Sequence, residues 1–292
     1  MNSATITCWN RPEMLLRLYN NIIKCDGWEN ISFIINIDTK RTANEQIYKQ
    51  VIDVSQDICC KHLNFKYKIR EQHNNWNNSF NLVKSLLELQ EQAEPNSIVY
   101  LLEDDLNLSK DFFVFIENAW IAELNASCII GAWNANEDCK AGKANEYYVT
   151  TRSYQNIVPT WKREGLDFLK IFDTPEYYTD IHTMTKFLLK LFPDHRFGSK
   201  WVELDGAIRR YYESINAQVA FPCIGRATHI GYYGMNRRGI LPIGSLESKV
   251  EELERLICNV DEMCFRSKTY KDYKTICFDN GFDYKTPLLK LD

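Results

Sequence analysis

The stretch Ser97-Ile98-Val99-Tyr100-Leu101-Leu102 is apolar over the length of a strand and stops at three consecutive acids, Glu103, Asp104 and Asp105. A strand buried on both faces cannot carry three charges in its middle. The acids therefore belong at its carboxyl end, where the chain leaves a sheet for a crevice. The sequence before it repeats the same theme. Residues 4–9 read as a strand, and Asn10-Arg11-Pro12 then opens a helix with Met14, Leu15, Leu18 and Ile22 at helical spacing. A strand over 31–37 ends at Asp38, and a polar helix follows over about 43–55. A third strand over 63–69 leads through a polar loop, 72–78, into an amphipathic helix carrying Phe80, Leu82, Val83, Leu86 and Leu87.

Strands alternating with helices imply an α/β chain with a mostly parallel sheet covered on its faces. The polar strand ends at Asn10-Arg11, Asp38, 74–78 and 103–105 then converge on one sheet edge, the usual ligand crevice. No GxGxxG follows the first strand and no P-loop is present, which argues against a dinucleotide fold. A helix starts at Asp111-Phe112-Phe113, and 128–133 is a fifth strand. Beyond about residue 145 the spacing predicts a strand over 147–151, helices over 162–172 and 201–215, and a strand over 217–224. A Gly-rich loop over 225–244 and a surface helix over 245–257 complete the chain. These boundaries give one catalytic domain over 1–244, with a donor half to about 135 and a smaller acceptor-side half from about 136. Residues 245–292 are a C-terminal helical extension.

With a net charge of −4 over 292 residues, the chain has no overall electrostatic footprint for nucleic acid. The ten cysteines include no CxxC pair and no His/Cys cluster of zinc spacing. Free thiols, no signal peptide and no apolar run of the roughly 20 residues that span a bilayer give the expectation of a soluble, cytoplasmic protein.

Adjacent carboxylates repel one another unless a cation or hydrogen-bond donors hold them. Hard divalent ions take such oxygens and commonly bind substrate phosphates through them, so Glu103-Asp104-Asp105 reads as a metal–diphosphate site. Acids at a helix N-terminus are the plainer alternative.

Several segments in order resemble the inverting β-1,2-N-acetylglucosaminyltransferase I family, glycosyltransferases of the GT-A (nucleotide-diphospho-sugar transferase) fold. Cys8-Trp9-Asn10-Arg11 is similar to that family's Cys-Asn-Arg after the first strand. Glu103-Asp104-Asp105-Leu106 with Asp111-Phe112-Phe113 is similar to its Glu-Asp-Asp-Leu and Asp-Phe-Phe. Ala132-Trp133-Asn134-Ala135-Asn136 resembles its Ala-Trp-Asn-Asp-Asn, and Glu203-Leu204-Asp205 with Arg209-Arg210 stands where it has Trp-Asp-Asp-Trp-Met-Arg.

The resemblance implies a metal-dependent inverting transfer of GlcNAc or another hexose from a UDP-sugar to a glycan or other hydroxyl-bearing acceptor. It makes Asp105 a ligand of Mn2+ or Mg2+, with Asp104 on the ribose and Glu103 on the sugar hydroxyls. Asp38 would accept from the uracil N3–H, Arg11 would lie near the base or diphosphate, and Asn81 would be a further uridine contact. Asp205, one helical turn before Arg209, would be the general base; an Asp205–Arg209 ion pair is the alternative. Other GT-A enzymes place a metal-binding His near His229, but the compared family does not, and a lone His is more often structural. Arg237 and Arg238 in the Gly-rich loop would close over the donor diphosphate, and Trp133 and Trp161 would wall the pocket or pack in the core. A metal-dependent hydrolase or nucleotidyltransferase and an inactive nucleotide- or glycan-binding scaffold are the competing classes. An acceptor on a modified nucleic-acid base is disfavoured.

Overall fold

The computed structural model describes residues 1–38, 44–71, 79–123, 128–132, 146–150, 158–193, 204–223, 225–230, 233–234, 237–238, 244–258 and 289–291. The first half alternates as expected: β1 (Asn2–Cys8), α1 (Pro12–Ile22), β2 (Ile31–Asp38), α2 (Glu45–Lys61), β3 (Phe65–Arg70), α3 (Ser79–Gln92) and β4 (Ile98–Glu103). There follow β5 (Leu106–Leu108), α4 (Phe112–Ala122), β6 (Cys128–Gly131), β7 (Glu146–Thr150) and β8 (Pro159–Lys162). The remainder comprises α5 (Leu169–Phe172), α6 (Pro175–Tyr178), α7 (Ile181–Leu191), α8 (Leu204–Ser214), β9 (Gln218–Pro222), β10 (Ala227–His229), β11 (Tyr233–Gly234), β12 (Arg237–Arg238), α9 (Leu246–Cys258) and β13 (Leu289–Leu291). Local chemistry explains the helix starts. Pro12 presets the first turn of α1, and the Asn44 side chain caps α2 by accepting from the Gln46 N–H.

Nine strands form one sheet in the order β13-β7-β9-β6-β8-β4-β1-β2-β3. The run β4-β1-β2-β3 is parallel throughout, while β8 is antiparallel to both β4 and β6, and β7 to β9. The result is a mixed, mostly parallel sheet flanked by helices, the arrangement expected of a GT-A-like fold.

Strand alternation divides the core into two layers. Ala4, Ile6, Phe33, Ile35, Tyr100 and Leu102 point into one, with α1, α2 and α4; Val99, Leu101 and Ile129 point into the other, with α3 and α5 to α8. Phe33 and Phe65 stack at 4.4 Å between ring centroids, which fixes β2 on β3.

Under α3 the sheet is polar instead. Asn36 donates to Thr5 Oγ1 at 2.9 Å and accepts from Arg70 at 3.0 Å, while Arg70 also donates to Asn81 Oδ1 at 3.1 Å and to Glu88 at 2.7 Å. These bonds satisfy a buried guanidinium that would otherwise be costly. The hydrogen bond from Arg70, with help from Lys68, holds the Glu88 carboxyl down to about 2 against the effect of burial. A depressed carboxyl stabilises the fold above its unfolded pKa and loses that contribution as pH falls through the folded value. Wild type should therefore lose about 1 kcal/mol more than Glu88→Gln between pH 5 and 2, a modest figure because Glu88 is partly solvated. Urea melts across that range check it, and parallel curves for the two proteins would discard the assignment.

Two expectations change. Residues 162–172 are not one helix: Pro159–Lys162 is a strand, followed by a 3-10 turn over Arg163–Leu166 and then α5. Thr160 pins that strand, donating to Ile130 O at 2.8 Å and accepting from Trp120 Nε1 at 3.0 Å, so long-range pairing overrides the helical spacing. Trp161 is fully buried beside Leu166 and Phe168 and packs as core rather than walling a pocket. The 225–244 segment, expected as loop, carries the short strands β10, β11 and β12. Among the described residues no helix is long and apolar enough to cross a membrane.

Candidate functional site

Three adjacent parallel strands end together. Cys8 lies beside Ile37 and Thr7 beside Glu103 in the β1–β2 and β1–β4 registers. Asp38, Arg11 and the acids thus emerge at one edge, across two strand spacings of about 5 Å each. Beyond Glu103 the chain changes partners. The Asp104 N–H still bonds Thr7 O of β1 at 3.2 Å, whereas the Asp105 carbonyl already accepts from the Ile230 N–H at 2.7 Å. From Leu106 onward β5 pairs antiparallel with β10, with His229 opposite Leu106.

That change of partner sorts the acids. Asp104 turns to Arg11, whose Nε donates to Asp104 Oδ2 at 3.3 Å and whose Nη2 pairs with Oδ1. Asp105 is shared: Oδ2 accepts from Arg11 Nη1 at 3.0 Å, and Oδ1 faces His229 Nδ1 at 3.5 Å. Glu103 Oε2 stands 3.5 Å from the same nitrogen. Glu103, Asp105 and His229 each offer one ligand atom, all within 4.8 Å of one another.

These residues fit a divalent cation. Asp105 Oδ1 is buried without a hydrogen-bond partner among the described residues, since His229 stands off at an ion-pair separation, and two carboxylates with one imidazole are a donor set for a divalent metal ion. Burial raises the Asp105 carboxyl, but His229 and the Arg11 charge outweigh it and hold Asp105 well below the usual range. Burial pushes Asp104 the other way; Arg11 opposes the rise and the Asp105 charge adds to it.

The other residues named from the sequence are placed as follows. Asp38 ends β2, is buried, and lies opposite Arg70 in the β2–β3 register. Asn81 is buried with its amide engaged by Arg70, Ser85 Oγ at 3.2 Å and Asn36 O at 3.5 Å. Asp205 lies in the first turn of α8 by its backbone, and Arg237 and Arg238 form β12, paired with β11. The side chains of those three residues, and Trp133 entirely, lie outside the described residues.

Sequence reading placed Glu103 on the sugar; the geometry brings it to His229 and Asp105. Sequence periodicity could not show this, because Asp104 and Asp105 form a turn between β4 and β5. It also passed over Arg226. This buried guanidinium pairs with buried Asp111 at 3.1 Å and lies 4.3 Å from the Phe115 ring centre. Its carbonyl accepts from the Ser109 N–H at 2.8 Å, so it anchors the start of β10 and thereby His229.

A separate cleft of about 520 Å³ between α3 and the 163–173 segment is lined by Lys84, Glu88, Arg163, Asp167 and Asp173. None of the acid-cluster residues lines it.

No protein-family model matches the chain, and no curated protein does. Among solved structures, S. aureus TarS (residues 1–349) is 13% identical over 97% of this chain and 74% of its own, with a TM-score of 0.43. The mannosyltransferase PcManGT from Pyrobaculum calidifontis, in complex with GDP-Man and Mn2+, is 13% identical over 64% of this chain and 52% of its own, with a TM-score of 0.40. The galactosyltransferase LgtC, in complex with donor and acceptor sugar analogues, is 10% identical over 75% of this chain and 72% of its own, with a TM-score of 0.42. Likeness this loose does not decide function.

Proposed function

We propose that the chain is a metal-dependent inverting glycosyltransferase that moves a hexose, GlcNAc in the first instance, from a UDP-sugar to an acceptor hydroxyl. The observation that carries the reading is the Glu103–Asp105–His229 cluster at the carboxyl ends of parallel strands, beside Asp38 and Arg11. A divalent ion bound there, Mn2+ or Mg2+, would neutralise the charge of the departing diphosphate. Asp105 is its principal ligand, with His229 and Glu103 completing the protein's share.

Asp38, buried at the end of β2, would accept a hydrogen bond from a nucleobase edge. Arg11 bridges Asp104 and Asp105 and offers a cation next to the phosphate position. Asp205 is the proposed base, taking the acceptor proton as the hydroxyl attacks from the face opposite the diphosphate. The preference for UDP and GlcNAc comes from the motif resemblance. Arg237 and Arg238 would close over the donor, with Trp133 on the pocket wall and Asn81 behind Asp38.

The test is a thermal-shift screen of UDP, UDP-GlcNAc, UDP-Glc, UDP-Gal and GDP-Man with and without Mn2+, followed by acceptor trials with the best donor. Asp205→Asn should retain donor-dependent stabilisation while turnover falls by about two to four orders of magnitude. Near-wild-type turnover would remove Asp205 as base. Sugar release with no acceptor dependence would instead identify a hydrolase.

A further inference from the structure

The helix α1 meets the acid segment twice. At its start Arg11 holds the side chains of Asp104 and Asp105. Two turns on, Arg17 and Asn21 of α1, with Cys25 in the turn beyond its end, recur at four-residue spacing along the free edge of β5. Arg17 donates to Leu106 O at 3.0 Å and to Asn107 Oδ1. Asn21 donates to Leu108 O at 3.0 Å and accepts from Leu108 N at 2.6 Å, and Cys25 Sγ reaches Ser109 O at 3.3 Å. Helix side chains thus satisfy the backbone edge that β5 leaves open opposite β10.

Arg17 is fully buried, and its counter-charge comes from a distant part of the chain: Glu254 Oε1 of α9 lies 3.2 Å from Arg17 Nε. The helix α9 packs on α1 and buries Leu253 there. A guanidinium removed from water is held in one orientation by the groups that pair with it. Leu106, which it grips, directly follows Asp105 and faces His229 across the β5–β10 register.

We propose that Arg17 is a positioning residue through which α9 sets the metal cluster, with Glu254 fixing the guanidinium that fixes β5. The assignment rests on the metal reading above. It gives α9 a part in the site although the helix supplies none of its three ligands. Loss of the Glu254 charge frees Arg17 to turn, β5 loosens against β10, and the spacing of Asp105 from His229 spreads.

Glu254→Gln keeps the side chain's shape at a half-exposed position, so the variant should fold. Arg255→Ala, on the exposed side of the same helix, where Arg255 pairs with Glu252, is the control. Two readouts are taken: the Kd for Mn2+ alone, and amide hydrogen exchange of residues 106–108 and 227–230 in chelator. Glu254→Gln should weaken Mn2+ about tenfold and speed exchange in those two segments only. Arg17→Lys, which keeps charge but loses the fork that grips Leu106 O and Asn107 Oδ1, should disturb both readouts at least as much. Values matching Arg255→Ala on both readouts overturn the proposal, as does faster exchange spread evenly over the chain. If wild type takes up no Mn2+, the metal reading fails; faster exchange confined to β5 and β10 would still establish the coupling.

Discussion

Asp105→Ala should abolish Mn2+-dependent stabilisation by UDP-sugars and lower turnover by about three orders of magnitude or more. The physical reason is that Asp105 serves two neighbours at once. Its Oδ2 receives Arg11, and its buried Oδ1 has no hydrogen-bond partner among the described residues. Asp104→Asn is the matched control. That carboxyl faces Arg11 rather than His229, so the variant should keep most of its Mn2+ affinity while handling the donor less well. His229→Ala should weaken Mn2+ by more than about tenfold, because the imidazole is the one nitrogen ligand in the cluster. Titration calorimetry with the metal alone separates these effects from donor binding. Wild-type Mn2+ affinity in Asp105→Ala would dismiss the cluster as a metal site. Equal losses in Asp104→Asn and Asp105→Ala would show that the division of the acids between Arg11 and His229 has no functional meaning.

Arg226→Met should destabilise the protein by about 3–5 kcal/mol, the usual cost of leaving one member of a buried ion pair alone. Both Arg226 and Asp111 are 2% exposed, so no water is at hand to take over from the lost guanidinium. Part of the loss is packing, since the guanidinium lies over Phe115. The double variant Asp111→Leu/Arg226→Met should recover most of the stability, because two apolar side chains carry no uncompensated charge. Urea denaturation of the four proteins forms the cycle. A single-variant loss under 1 kcal/mol, or a double variant worse than either single, would show that the pair is not what secures β10. Because His229 hangs on that strand, the double variant has a second use. If it is stable yet binds Mn2+ weakly, the ion pair positions His229 as well as stabilising the fold.

The sequence was most informative where neighbours along the chain act on each other. Alternation at two residues and recurrence at three to four set β1 through β4, α1 and α3 close to where they lie, while α2 runs on to Lys61, past the expected end near 55. A run of three acids after an apolar strand could only sit at a sheet edge. The same rule put Asp38 and Arg11 at that edge, because parallel strands end on the same side. Periodicity failed at residues 162–172, where Lys162 ends β8 opposite Ile98 of β4 and only Leu169–Phe172 form an α-helix.

What the sequence by itself determined is therefore the class of fold and the edge where the chemistry belongs. Which acid meets which partner was decided only in three dimensions. The strands β5 and β10 are three residues each, too short to leave any periodic trace, yet their pairing turns Asp105 toward His229 and leaves Asp104 with Arg11. The buried arginines Arg17 and Arg226 read locally as ordinary polar residues. Their partners are Glu254 and Asp111, charges supplied by segments far along the chain, and only the folded packing brings these pairs together.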